Sequence, residues 1–243
     1  MNRRLFLNLT AALALSSCAA GRADALTRVM VIATMHRAHQ DSSTYSYDDL
    51  YRRIEQFAPT AIGVEIRQED LSPPAAYLSS YYPAEMIELA RCYAPIARGI
   101  DWLGPAIEGQ PIPEGYFQQL EVKGLERALA ADAAFDDPQL DRLQVQRQEL
   151  LTDATAASLN DGRYDALNRL YYQRLADRLR GTRYQAMSDF YAMRDARIAA
   201  NAIGLISANS AGRVAIVVGA DHRSAVIDAI EAAMQRAVIF ETV

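Results

Sequence analysis

Three residues set at the ends of apolar runs are the first sign of chemistry in this chain. Arg28-Val-Met-Val-Ile-Ala33 leads into Thr34-Met35-His36, and Arg213-Val-Ala-Ile-Val-Val218 leads into Gly219-Ala-Asp-His222. A third short run, Ala61-Ile-Gly-Val64, ends at Glu65. Such β-branched runs read as buried strands, and ligand sites in open α/β sheets gather beyond the carboxyl ends of the strands. Two imidazoles and a carboxylate are the usual donors for a catalytic divalent ion with an open position. Such an ion lowers the pKa of a bound water and makes hydroxide near neutral pH. His36, Glu65 and His222 are therefore the candidate metal ligands, for zinc, manganese or cobalt. Taken singly, each has an ordinary reading: a histidine after a strand caps or lies on the surface, and Glu65 pairs with Arg67 or another arginine, because an unpaired buried charge is costly. Taken as a set at equivalent strand ends, they read as a site.

Other residues can assist. Arg67, two after Glu65, and Arg194, in a late helix with Asp195 and Arg197, are candidates for binding substrate or stabilising an oxyanion. Glu65 joins them as a catalytic candidate. Helix-face salt bridges explain 194–197 equally well. His39, three after His36, is expected as an exposed loop residue, with an extra ligand as its alternative. Asp101 closes a strand candidate and either orients a histidine from behind or caps a helix. No G-x-S-x-G, Walker loop, G-x-G-x-x-G or H-E-x-x-H occurs, which removes the commonest nucleophile-elbow, nucleotide and zincin readings.

The elements that must position these groups follow from pattern. Asp48-Asp49 open a helix with Leu50, Tyr51, Ile54 and Phe57 on one face, stopped before Pro59. The spacing to Ala61 is that of a βαβ unit, so the first two strands are expected to be parallel and adjacent. Residues 75–94 read as helical and Tyr-rich, with the tyrosines packing. Arg98-Gly-Ile-Asp101-Trp102 is a short strand candidate, and 104–115 is a connection. From about 116 to 209 apolar residues recur at helical spacing and give three or four amphipathic helices. A buried strand returns at 213–218, then a helix from about Ser224, then a last strand at 237–240. The fold class is α/β: a central, mostly parallel sheet with flanking helices and a large helical insertion, in a single domain over 26–243.

The first 25 residues read as an export signal. Arg3-Arg4 precede an apolar run from Leu5 to Leu15 that is short for a membrane span, and Asn2-Arg3-Arg4-Leu5-Phe6-Leu7 resembles a twin-arginine signal. Leu15-Ser16-Ser17-Cys18 reads as a lipobox, which makes Cys18 a lipidated N-terminus and a membrane anchor. Ala23-Asp24-Ala25 offers a second cleavage site. Either way the mature protein belongs to the cell envelope, on the periplasmic side. Cys92 is then a lone thiol, expected to be a small buried hydrophobe. With 243 residues, a net charge of -5 and 23% charged residues, the chain is an ordinary globular protein with no basic face for nucleic acid.

The order Ala33-Thr-Met-His36, Pro59-Thr-Ala-Ile-Gly-Val-Glu65, Gly99-Ile-Asp101, Arg194-Asp-Ala-Arg197 and Val218-Gly219-Ala-Asp-His222 resembles the TraB/Tiki superfamily. That superfamily includes erythromycin-esterase-like and ChaN-like haem-uptake proteins, and its marks are two G-x-x-H motifs with a G-x-E strand end between them. The chain departs at Ala33, where the pattern has glycine. The resemblance spans 28–240 in order, with 104–185 matching only as helix. It implies an α/β core with a helical insertion and a site of His36, Glu65 and His222. It implies a metal-dependent hydrolase acting on a peptide, ester or amide bond in a peptide or small-molecule substrate, or a haem- or iron-binding envelope lipoprotein without turnover.

Overall fold

The computed structural model describes residues 26–243. The expected export signal, with Cys18 and the alternative cleavage site, falls outside the described residues. The protein is an α/β fold with a five-stranded parallel sheet: β1 (Thr27–Thr34), β2 (Ala61–Val64), β3 (Ala97–Gly99), β4 (Arg213–Gly219) and β5 (Val238–Phe240), in the order β3-β2-β4-β1-β5. Between β1 and β2 runs α1 (Tyr47–Phe57), and between β2 and β3 run α2 (Ala75–Tyr81) and α3 (Ala84–Cys92). Six helices separate β3 from β4: α4 (Tyr116–Gln119), α5 (Glu121–Ala130), α6 (Pro138–Thr152), α7 (Ala156–Leu159), α8 (Arg163–Leu179) and α9 (Gln185–Ala208). The last helix, α10 (Ala220–Met234), joins β4 to β5. Among the described residues no helix is long and apolar enough to cross a membrane.

Local sequence accounts for the main elements. Ser46 caps α1 and exchanges hydrogen bonds with Asp49, a capping box that satisfies the first free N–H groups. Ala58 ends that helix in the left-handed conformation ahead of Pro59. Every residue from Val214 to Val218 is fully buried, as expected of a strand covered on both faces. Alternation then divides the core. Met30, Ile32, Ala215 and Val217 face α1 and α3, whereas Val29, Val31, Val214 and Ile216 pack with Ile198, Ile206, Val226 and Ile230 of α9 and α10. A third, smaller apolar cluster around Leu179, Tyr184 and Met187 lies within the helical insertion itself.

Four expectations are corrected. β1 and β2 are parallel but not adjacent, because β4 lies between them and pairs with both. The centre of a parallel sheet goes to the strand that is apolar on both faces, and β4 meets that demand from Val214 to Val218. The stretch 75–94 is broken into two helices at Pro83, which cannot continue α2. The insertion holds six helices, two of them single turns. Cys92 is exposed, with its thiol donating to Glu88 Oε1 at 3.1 Å, because it stands at the solvent side of the end of α3. The tyrosines do pack: Tyr77 and Tyr82 both donate to Asp70.

Candidate functional site

His36, Glu65 and His222 come together above the carboxyl ends of β1, β2 and β4. Glu65 directly follows β2 and is buried. Its Oε1 accepts from Arg194 Nη2 at 2.9 Å, and its Oε2 accepts from the Gly219 N–H at 2.7 Å. Arg194 reaches down from the middle of α9, and its Nε donates to Asp101 Oδ1 at 2.9 Å. The arginine that neutralises Glu65 is therefore Arg194, and Asp101 holds that arginine in place of a histidine. The charges of His222, Arg194 and His36 overcome burial and hold Glu65 below the ordinary carboxylate range. Burial pushes Asp101 up against the pull of Arg194.

His222 lies in the first turn of α10, which begins four residues earlier than its apolar pattern indicates. Its Nδ1 donates to Asp195 Oδ1 at 2.5 Å, and its Nε2 faces Glu65 Oε1 at 3.4 Å. His36 opens a single 3-10 turn with a positive φ of 49°. Its Nδ1 donates to Glu85 Oε1 at 2.8 Å, a carboxylate fully buried in α3. Burial disfavours the charged form of both imidazoles. For His36 the bond to Glu85 and the charge of Glu65 outweigh burial, and for His222 the charge of Glu65 and the bond to Asp195 do so; both pKa values are raised. Gly219 makes room for the pair, since a Cβ there would stand 2.6 Å from His36 Nε2 and 3.4 Å from Glu65 Oε2.

Two sequence candidates fall elsewhere. Arg67 is buried beneath the 104–112 connection, where it donates to Asp70 Oδ2 at 2.6 Å, the Ile107 carbonyl at 2.7 Å and the Gln110 carbonyl at 2.9 Å. All three bonds are to loop groups away from the histidines, so Arg67 pins a loop. His39 is buried, not exposed. Its Nε2 accepts from the Met35 N–H at 2.9 Å and its Nδ1 donates to the Tyr45 carbonyl at 2.7 Å. That use of both ring nitrogens closes the loop after β1 and leaves none for an ion.

Glu85 and Asp195 are the groups that sequence reasoning missed in these roles. Glu85 was legible as an acid on the buried stripe of α3, four residues before Leu89; its partner was not. Two clefts open at the site. One, of about 580 Å³, is lined by His36, Asp41, Ser42 and Thr152. The other, of about 860 Å³, runs between α5, α6, α8 and α9 past Leu140, Tyr171, Leu175 and Met187. His222, Arg194, Tyr164 and Asp221 line both, so the clefts meet at the His222 imidazole. As the side chains lie, no three His, Cys, Asp or Glu groups among the described residues are gathered into a cage for an ion. No family model, curated protein or solved structure matches the chain.

Proposed function

We propose that the chain is an exported hydrolase of the TraB/Tiki type, dependent on a divalent ion, acting on a peptide, ester or amide bond. The observation that carries this reading is the pair of carboxylate-backed imidazoles facing each other across Glu65. A neutral His222 Nε2 and Glu65 Oε1 are both acceptors, 3.4 Å apart. Arg194 already places a cation on that oxygen, and the raised pKa of His222 favours a proton on Nε2; a metal ion would take the place of that proton. Histidine ligands commonly donate their other ring N–H to a carboxylate, as His36 does to Glu85 and His222 to Asp195. The donor types therefore fit a divalent ion held by His36, Glu65 and His222, with Arg194 competing for Glu65. When bound, such an ion makes a water acidic enough to supply hydroxide and polarises a carbonyl.

The protein's own groups do the rest. Asp195 and Glu85 fix the ring orientation and tautomer, so each Nε2 points at the cleft. Glu65 takes the proton of the attacking water, a role worth about 10²- to 10⁴-fold. Arg194, anchored between Glu65 and Asp101, keeps a positive charge beside the reacting carbonyl oxygen. The meeting of two clefts lets substrate extend to both sides of the scissile bond.

Elemental analysis of residues 26–243, beside His222→Ala, tests the reading. About one equivalent of divalent metal, absent from the variant, is expected, together with hydrolysis of one member of an ester, amide and peptide panel. No metal after dialysis against zinc, manganese and cobalt would sink the metal claim. The second reading is an envelope haem or iron carrier; the breadth of the tyrosine-lined cleft beside His222 favours it. A Soret band without turnover would establish that reading instead.

A further inference from the structure

His222 is flanked in sequence by two residues that both grip the helical insertion. Before it, Asp221 Oδ1 accepts from Arg147 Nη2 of α6 at 2.6 Å and from the Tyr164 hydroxyl of α8 at 2.5 Å. Asp221 Oδ2 accepts from the Tyr172 hydroxyl at 3.2 Å, and the Asp221 carbonyl accepts from Asn168 Nδ2 at 2.7 Å. After it, Arg223 pairs with Asp165 of α8 and donates to the Asn160 carbonyl at 3.2 Å and to the Val31 carbonyl of β1 at 2.9 Å. The charges are complementary: an acid of α10 meets a base of α6, and a base of α10 meets an acid of α8. Arg147 is itself buried, with its guanidinium carbon 4.5–5.5 Å from the ring centres of Tyr164, Tyr171 and Tyr172. Apart from Asp221, its side-chain partners are neutral, Gln144 and Tyr164.

We infer that Asp221 is a positioning residue through which the α6–α8 pair sets the placement of the His222 ring. Four bonds from two insertion helices end on the residue next to the imidazole, in the first turn of the same helix. A helix turn is stiff, because its φ and ψ angles are set by the ladder that follows. Displacement of Asp221 therefore carries His222 with it. The same helices wall both clefts, so cleft geometry and imidazole geometry are one mechanical unit. His36 stands outside that unit, since its ring is held by Glu85 of α3. The consequence for turnover rests on His222 being a working group of the proposed hydrolase; the coupling itself does not, and it is read without substrate.

The experiment records the ring ¹⁵N signals of His36 and His222 in residues 26–243 for the wild type, Asp221→Ala and Asp221→Asn, with trypsin digestion of the same samples. Expected for Asp221→Ala are cuts at arginines of 163–180 at least about tenfold faster, as local opening permits cleavage, and a shifted or broadened His222 ring signal with the His36 signal unmoved. Asp221→Asn keeps an acceptor for Arg147 and Tyr164 and is expected to restore the His222 signal. A His222 signal in Asp221→Ala identical to wild type overturns the inference, whether or not the insertion loosens. Should Asp221→Ala fail to fold, the double variant Tyr164→Phe, Tyr172→Phe removes two of the four bonds and takes the same readings.

Discussion

The exits of β1 and β4 deliver an imidazole to the same place by different backbone routes. The two strands pair in parallel with Thr34 opposite Gly219, so Ala33, which stands where the motif has glycine, lies opposite Val218. His36 is thus two residues past its register point and His222 three. The β4 exit runs straight into α10, and His222 points from a regular first turn. The β1 exit turns at His36 itself, which adopts a left-handed φ and starts a single 3-10 turn. The missing side chain at Gly219 serves the opposite strand: it clears space for the His36 ring. The supports differ too. His222 is held by α9 and flanked by residues gripping α6 and α8, whereas His36 is held by the buried Glu85 of α3 and leaves 39% of its side chain exposed. The lesson is that a repeated motif can conserve the end point of a side chain while the glycine works across the sheet and not within its own turn.

That comparison can be broken most severely at the rings. His222→Ala and His36→Ala are each expected to lower kcat/KM on the best substrate by on the order of 10³-fold. A loss under threefold at His36, with His222 essential, would reduce the pair to one working imidazole. Next comes the glycine. Gly219→Ala must displace the His36 ring, and a misplacement of about 1 Å costs about 10²-fold in rate; Ala33→Gly, which restores the motif on the other strand, should change the rate less than about threefold, because Ala33 lies opposite Val218 and not opposite Gly219. A crystal structure of Gly219→Ala with His36 unmoved would contradict the cross-strand role.

The backing carboxylates sharpen the contrast further. Asp195→Asn and Glu85→Gln are each expected to weaken metal retention by about 10- to 100-fold, measured by competition with a chelating dye. Only Glu85→Gln should also perturb the core thermally, as Glu85 is fully buried and Asp195 is not. The smallest effect is expected at His39, the imidazole that serves structure. Burial holds its pKa below the ordinary value, against the Tyr45 carbonyl bond. As pH falls, the unfolded chain takes up a proton on this ring before the folded chain does. The stability it contributes is full above the unfolded value near 6.5 and is lost as pH falls through the folded value. His39→Gln should therefore flatten the denaturation midpoint curve on its acid side, below about pH 6.5. An unchanged curve would show that folding does not shift the His39 pKa.

Much of this was legible in one dimension. Runs of β-branched residues marked β1, β2 and β4, the Ser46–Asp49 spacing and Pro59 bounded α1, and the apolar recurrence after 116 announced the helical insertion. His36, Glu65 and His222 were legible as a set because residues just past buried strands share one edge of a parallel sheet. Pattern reports burial and local backbone, since both depend on neighbours in sequence. Spatial partnership depends on how distant elements pack, and pattern is silent there. The placement of β4 between β1 and β2, the choice of Arg194 over Arg67 as partner of Glu65, and the conversion of His39 into a loop clasp were all decided by tertiary structure. Glu65 and Arg194 are 129 residues apart, and His36 and Glu85 are 49 apart; only the closure of the sheet and the docking of α3 and α9 upon it bring those charges within bonding distance.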